Sequence, residues 1–514
     1  MRKGGRKGRL DRPPAARAVR PGMTGGRYRP LSEHEIDRVH QTVLDVLENI
    51  GMGTPIPQLQ DHALRRGCHL NEHGRLCFPR GLVEDVIAAS PKQLSYLGQD
   101  PRHDLALGGL AVHAFGGGDA VNMLDVGADK YRPSTLLDVY DLARLVDRLE
   151  NIHAFSRLVV ATEFSDQLEC DLNTAYASAA GTAKHTALSF NNASHVQPTL
   201  QMLHLMAGGE TKFRERPFMH GGGCPVISPL QYGKDNSEVC LESTKFHAPV
   251  WIVVAPQAGA TAPAALAGAL VQAVAEALAG LLLVDMVHPR HPVMIGPWAF
   301  ISDLRTGSFT GGSGEEALVS AAAVQMINHY GLASSIGAGM TDSKLPDNQA
   351  GFEKGIAVTL AAHAGCNDVS ESAGMLGSLM AASPEALVID NDMLGAVLRT
   401  VRGIEINDET LSYDVIRDIV HGEGHYLRHP QTLRLMRDEY QYPELSDRSA
   451  PGDWEAGGSL DIRRRAAGRV RAILSTHYPE YIDPEIDRKI RDRFPIRLPR
   501  AAMTAGNSRW SADA

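Results

Sequence analysis

The sequence predicts an α/β protein built as a TIM (β/α)8 barrel, with a helical N-terminal cap and a helical C-terminal extension. Three observations lead there. Between residues 105 and 405 short apolar runs alternate eight times with helical stretches, which fits a closed barrel better than an open doubly wound sheet. No GxGxxG opens the first unit, which counts against a dinucleotide fold. Polar and aromatic side chains cluster just after the apolar runs, where a barrel assembles its site.

The elements follow in order. Residues 1–30 hold ten Lys and Arg against Asp11 alone; a Gly, Pro and Arg segment cannot form a core, so a disordered basic tail is expected. Residues 31–104 read as a helical cap. Ser32 and Glu35 form a capping box before the apolar positions Ile36, Val39, Val43 and Leu47, and Gly51 ends that helix. Shorter helices are expected near 57–66 and 80–89.

Residues 105–405 form the barrel, with strands near 111–115, 153–161, 186–190, 217–220, 250–254, 292–296, 333–338 and 367–370. Helices near 135–149, 167–181, 196–207, 234–246, 263–280, 314–329, 346–363 and 384–402 follow them. Thr135 with Asp138, and Ser383 with Pro384, are helix starts. Residues 406–514 are helical and mostly polar, an extension packed on the barrel.

The bulk numbers bound the function. A 514-residue chain with 43% hydrophobic and 22% charged residues can bury a large core. Its net charge is −9, and without the +9 of the first thirty residues the body carries −18, which argues against nucleic-acid binding there. No apolar run marks a secretory signal, and six cysteines without CxxC pairs fit reduced thiols in a cytoplasm. The segment 262–284 is the most membrane-like, but Gln272 and Glu276 at helical spacing make it a buried helix, so no membrane span is expected. A homo-oligomer is the expected assembly.

The candidate site centres on 296–344. Phe115, Asp119, Asn191, His195, His220, Gln257 and Glu371 are placed around the same mouth by the strand count. Trp298, Phe300 and Phe309 lie within twelve residues of one another in a chain with 6% aromatics. Aromatic faces beside carboxylates such as Asp303, Asp342 and Glu371 recognise a quaternary ammonium by cation–π attraction. The same rings equally serve as ordinary core at the top of a barrel. The run Thr306–Gly314 then leads into a helix. Free N–H groups at Gly311, Gly312 and Gly314, or the guanidinium of Arg305, would suit a carboxylate, but no Lys-Ser/Thr follows to make a P-loop. A cation cage beside an anion nest fits a betaine. No set of ligands for a metal stands out; His288 and His291 read as structural.

At SDLRTGSFTGGSGE (302–315), GMTDSKLPDNQAGFEKG (339–355), SPEALVIDND (383–392) with RGIEI (402–406), and GEGHYLRHPQTL (422–433), the sequence resembles the trimethylamine methyltransferase family. The resemblance runs from about Leu31 to Pro495. It implies a TIM barrel and methyl transfer from an N-methylated amine to a Co(I) corrinoid (cobalamin) on a separate carrier protein. The archaeal trimethylamine enzymes of that family carry pyrrolysine, whereas this chain has standard residues throughout, with 339–344 as the neighbourhood of the missing one. Pyrrolysine-free members resemble quaternary amine demethylases, with glycine betaine as the best-known substrate. A quaternary ammonium leaves as a neutral amine and needs no further activation.

In the leading reading Trp298, Phe300 and Phe309 cage the cation, and Asn191 and His220 are further substrate-binding candidates. Asp342, Glu371 and Lys344 become the groups nearest the chemistry. Trimethylamine as substrate, and a non-catalytic binding protein, are the other readings. The carrier's corrinoid signature DxHxxG is absent, and Asp285–His288 has the wrong spacing.

Overall fold

The structure, a computed structural model, describes residues 17–507, 509 and 510. Residues 1–16 of the expected tail lie outside the described residues. Residues 17–30 correct that expectation: Met23–Thr24 pairs with Ala111–Val112, the Tyr28 amide donates to the His363 carbonyl at 3.1 Å, and Met23 is buried. The segment gains order because it supplies a strand partner and apolar side chains.

The N-terminal region contains helices α1 (Glu33–Asp45), α2 (Pro57–Arg65) and α3 (Arg80–Ala89). The Ser32 amide donates to Glu35 Oε2 at 2.8 Å and Ser32 Oγ caps the Glu35 amide, the reciprocal box the spacing predicts. The region is not wholly helical. It also has the hairpin of His69–Leu70 with Leu76–Cys77, and the longer hairpin of β1 (Gln93–Tyr96) and β2 (Leu105–Gly108).

Parallel pairing then begins. After the short segment at Ala114–Phe115 come β3 (Phe155–Ser156), β4 (Thr186–Ser189), β5 (Met219–Gly223), β6 (Val250–Val254) and, beyond the two-residue β7 (Gln257–Ala258), β8 (Val293–Pro297). β3, β4, β5, β6 and β8 form one five-stranded parallel sheet. Past β9 (Phe300–Asp303) and β10 (Ser308–Thr310), strands β11 (Ser335–Gly337) and β12 (Asp368–Ser370) pair in parallel with each other. Single parallel bridges carry the pairing onward: Ile295 to Ser334, Val369 to Ala114, and Phe115 to Ala154.

Helices fill the intervals: α4 (Leu136–Arg148), α5 (Gln167–Gly181), α6 (Val196–Met206), α7 (Lys234–Ser243), α8 (Leu266–Val287), α9 (Gly314–His329), α10 (Asn348–Ala364) and α11 (Pro384–Arg402). α8 lies three to seven residues later than predicted, because Pro263 and the Gln257–Ala262 turn delay its start. It is the one helix among the described residues long and apolar enough to cross a membrane, and 83% of its apolar window is buried in the protein. Beyond α11 lie α12 (Tyr413–Val420), α13 (Pro430–Asp438), α14 (Ile462–Leu474), which packs on α11 and α4, and α15 (Pro484–Arg493).

The β1–β2 hairpin closes one end of the barrel. Leu94, Tyr96, Leu105 and Leu107 cluster with Phe115, Ala154, Met294 and Ala333. Tyr96 stacks on His185 and on His220, with centroids 4.3 and 4.4 Å apart. His185 Nε2 and His220 Nδ1 share a 2.8 Å hydrogen bond, and burial pushes both imidazoles down so that they stay neutral. This also corrects the sequence placement of His220, which sits in the floor rather than at the mouth. Strand direction explains it: His220 is the second residue of β5, one full strand below its exit.

Truncating the ring that both imidazoles lean on would leave a cavity under the barrel. Tyr96→Ala is expected to cost about 3–5 kcal/mol of stability, measured as a lower urea midpoint with the slope unchanged.

Candidate active site at the open end of the barrel

The opposite end, at the strand exits, is where chemistry-bearing side chains converge. Glu371 follows β12 in the left-handed region at φ +55°, strain that a non-glycine residue keeps only where its surroundings enforce it. Its side chain is buried, 5% exposed for the residue, and Oε2 has no hydrogen-bond partner. The Gly116–Gly118 loop lies over it. A Cβ on Gly117 would sit 3.2 Å from Glu371 Oε1, and one on Gly118 would sit 2.9 Å from Oε2. Burial, and then the carboxylates of Asp119 and Asp368, push Glu371 well above the usual carboxylate range, which favours its protonated form.

Asp119, partly open to solvent, accepts from Arg157 Nε at 2.5 Å, from Arg157 Nη2 at 3.0 Å and from Ser189 Oγ at 3.0 Å. These groups come from the exits of the first three strand positions. Burial opposes the charge on Arg157, but Asp119 more than offsets it, and the guanidinium stays protonated with Nη1 unbonded. Cys224 follows β5 and is the one exposed cysteine of the six. Protein atoms around it, with Asp119 and Glu371, still push its thiol up to about 11. Deeper in the barrel, Asp368 accepts from Ser335 Oγ at 2.8 Å and is pushed up to about 7 by burial.

The aromatic residues do come together. Trp298 fits between Gly296 and Gly337, where a Cβ on either would approach its indole to 2.9 Å, and its Nε1 donates to the Ser335 carbonyl at 3.1 Å. Ring centroids run Trp251 to Trp298 at 5.7 Å, Trp298 to Phe300 at 6.1 Å and Phe300 to Phe309 at 4.7 Å. Phe300 and Phe309 sit on the β9–β10 hairpin, which β7 fastens to the rim by parallel pairing.

The rest of the expected anion nest is different. Asp303 accepts from the Arg305 amide and Nε, both at 2.9 Å, and from Nη2 at 2.7 Å, on a hairpin tip where Arg305 is 89% exposed. Each satisfies the other. The Gly311 amide donates to Asp342 Oδ1 at 2.8 Å, and a Cβ on Gly312 would collide with Glu353 at 2.3 Å. Ser313 Oγ caps α9, and Gly314 stands in open space. The chain's own carboxylates therefore fill the glycine run. Asp342 is further held by Ser378 Oγ at 2.5 Å, and its amide donates to Glu353 Oε2 at 2.9 Å.

Lys344 is exposed, with Nζ donating to the Asp342 carbonyl at 2.6 Å. The Asn191 amide and side chain donate to Asp171 at 3.0 and 2.7 Å, and His195 Nδ1 meets the same carboxylate at 2.7 Å. Those three fix the start of α6. Asp285 is held by Arg66 at 2.7 Å.

Arg157, Ser189 and the position of Cys224 are not singled out by any motif. Each directly follows, or ends, a barrel strand, and that spacing was the available signal. Glu316, buried on the first turn of α9 and pushed up to about 8 by burial and Asp342, belongs with them; its Oε1 accepts from Ser320 at 2.8 Å. Among the described residues no group of three His, Cys, Asp or Glu is placed to hold a metal ion.

A barrel plugged at one end, with a buried acid near the other and a run of rings reaching from the rim down toward the plug, has relatives of known activity. A family model described as trimethylamine methyltransferase matches residues 2–498. The trimethylamine methyltransferase of Desulfitobacterium hafniense (strain DSM 10664 / DCB-2) is 30% identical over 462 residues, 90% of this chain and 92% of that one. The glycine betaine methyltransferase of Desulfitobacterium hafniense (strain Y51) is 29% identical over 466 residues, covering 90% and 96%. The trimethylamine methyltransferase of Methanosarcina barkeri is 32% identical over 470 residues, covering 90% and 94%. Among solved structures, the Methanosarcina barkeri monomethylamine methyltransferase superposes with a TM-score of 0.52 at 12% identity, covering 86% and 87%, a likeness of fold. With nearly its whole length matched and its open end built as described, the chain belongs to the trimethylamine methyltransferase family.

Proposed function

We propose that the chain is a closed (β/α)8 barrel, capped by residues 31–104 and extended by 406–514. In this reading it moves a methyl group from a quaternary amine, glycine betaine or a close analogue, to the Co(I) corrinoid of a separate carrier protein. Membership of the family makes it a methyltransferase. The observation that carries the substrate reading is Glu371: a buried acid with one oxygen unbonded, at an opening that also holds Trp298, Phe300 and Phe309.

A Co(I) corrinoid supplies a nucleophile strong enough to take a methyl group from a positively charged nitrogen. This chain's residues do the rest. The rings offer the ammonium cation–π attraction of about 0.5–2 kcal/mol each where water is excluded. Glu371 gives up its proton as the cation arrives, and the resulting carboxylate balances the charge. Arg157, charged and with Nη1 unbonded at the strand exits, would meet the carboxylate of a betaine. With the far end plugged, the carrier's route to the substrate is the strand-exit end, where Asp119, Cys224 and Ala255 are open to solvent.

One observation favours a second reading. Because Glu371 is held as an acid, it is also placed to protonate a tertiary amine, which would make trimethylamine the substrate. A panel of amines and betaines incubated with reduced carrier separates the two by growth of methyl-Co(III) absorbance. Glycine betaine is expected to react, and Glu371→Gln to lower kcat/KM roughly a hundredfold. Silence across the panel would sink the methyltransferase reading.

The pH dependence has a definite sign. Glu371 is protonated in the free protein and ionised beside a bound cation, so binding a quaternary amine releases a proton. Affinity should rise with pH until the free protein's own Glu371 titrates, and calorimetry in buffers of different ionisation heats should detect the released proton. Glu371→Gln should abolish both effects. Arg305→Ala, which breaks only the exposed pair with Asp303, should leave betaine affinity unchanged within about twofold.

A further inference from the structure

Glu371 is carried by a turn that two buried charges hold in place. Lys354 on α10 and Asp390 on α11 form an ion pair at 2.6 Å, with side chains 1% and 8% exposed. The same oxygen, Asp390 Oδ2, accepts the Gly374 amide at 2.8 Å. Gly374 lies three residues after Glu371, at φ +90°, where a Cβ would sit 2.6 Å from Leu158. On its other side the turn is tied to β-structure: the Ser372 amide and Oγ both donate to the Phe115 carbonyl, at 3.0 and 2.7 Å. Met375 follows, and a Cβ on Gly118 would collide with its side chain at 2.3 Å. The turn is thus fastened on two sides, against the loop that lies over the acid.

The sequence stretches 339–355 and 383–392 meet at this pair. Glu353, the neighbour of Lys354, braces the preceding corner: its Oε2 accepts the Asp342 amide at 2.9 Å and the Thr341 hydroxyl. One turn of α10 therefore serves both corners. Apolar residues of similar size would fill the space between α10 and α11 without the cost of desolvating two charges. What they would lack is an acceptor. An ionised carboxylate takes a backbone N–H in a charge-assisted hydrogen bond, stronger than a neutral one, and Lys354 fixes where that carboxylate stands.

We propose that Lys354 and Asp390 are positioning residues for Glu371. The pair pins Gly374, and through Gly374 it keeps the strained turn in the shape that sets the Glu371 carboxyl under Gly117 and Gly118. This role rests on Glu371 being the counter-charge to a quaternary ammonium.

The test compares two ligands on the full chain by calorimetry, without turnover. One is glycine betaine; the other is 3,3-dimethylbutanoate, in which a carbon replaces the charged nitrogen. The ratio of their affinities reads the charge alone, and Glu371→Gln gives the share of it that the acid provides. Lys354→Met with Asp390→Leu makes an apolar pair with no acceptor. Lys354→Met with Asp390→Asn makes a neutral pair that keeps one. The leucine variant is expected to be folded by circular dichroism, with a urea midpoint close to that of the unaltered protein. It should nonetheless lose roughly tenfold of the preference for glycine betaine, and hydrogen exchange in segment 371–376 should quicken. The asparagine variant should keep the preference within about threefold. Arg66→Met, which breaks the pair with Asp285 outside this corner, should leave the ratio unchanged. Should the leucine variant not fold, Lys354→Met with Asp390→Ala takes its place.

A leucine variant that keeps the full preference while Glu371→Gln loses it would overturn the proposal alone. So would unchanged exchange in 371–376, equal losses for both ligands, or an asparagine variant as impaired as the leucine one. If Glu371→Gln keeps the ratio, the counter-charge reading of Glu371 is wrong, and the proposal goes with it.

Discussion

A carboxyl group buried with one oxygen unbonded shapes the open end of this barrel. Glu371 holds a left-handed backbone, and Gly117 and Gly118, at φ +145° and +142°, close over its side chain where any Cβ would intrude. Asp119 stands near enough to help keep it protonated, yet is itself tied to Arg157 and Ser189. Taking an isolated carboxylate out of water costs several kcal/mol, which favours the neutral form of the group.

The glycine-rich stretch shows the limit of reading function from a motif. Thr306–Gly314 has the composition of an anion cradle, and it does cradle carboxylates. They are Asp342, bonded to the Gly311 amide, and Glu353, packed against Gly312. A sequence marks where backbone N–H groups will be free of side-chain obstruction. Whether a ligand or the chain's own acid fills the space depends on which residues the next corner brings across, and here that corner is thirty-one residues on.

The fold was far more legible than the site. Strand and helix positions follow from apolar periodicity and caps, which are local: Ser32 with Glu35, Thr135 with Asp138, and Ser383 with Pro384 all form as spaced. The aromatic run was legible for a related reason, since Trp298, Phe300 and Phe309 are close in the chain and a hairpin keeps them close in space. Arg157, Ser189 and Asp119 come from three different corners, and no local pattern links them. His220 went astray by the length of one strand, because a histidine before three glycines looks the same whether it starts or ends the run.

The stacked Tyr96, His185 and His220 make the barrel a vessel with a single opening. On the proposed reading, two reactants of very different size share that entrance. A small amine has to be inside before a protein partner seats over the rim, and the demethylated amine stays trapped until that partner departs. Order of addition is thus imposed by architecture: the amine first on and last off, with the larger partner acting as the stopper.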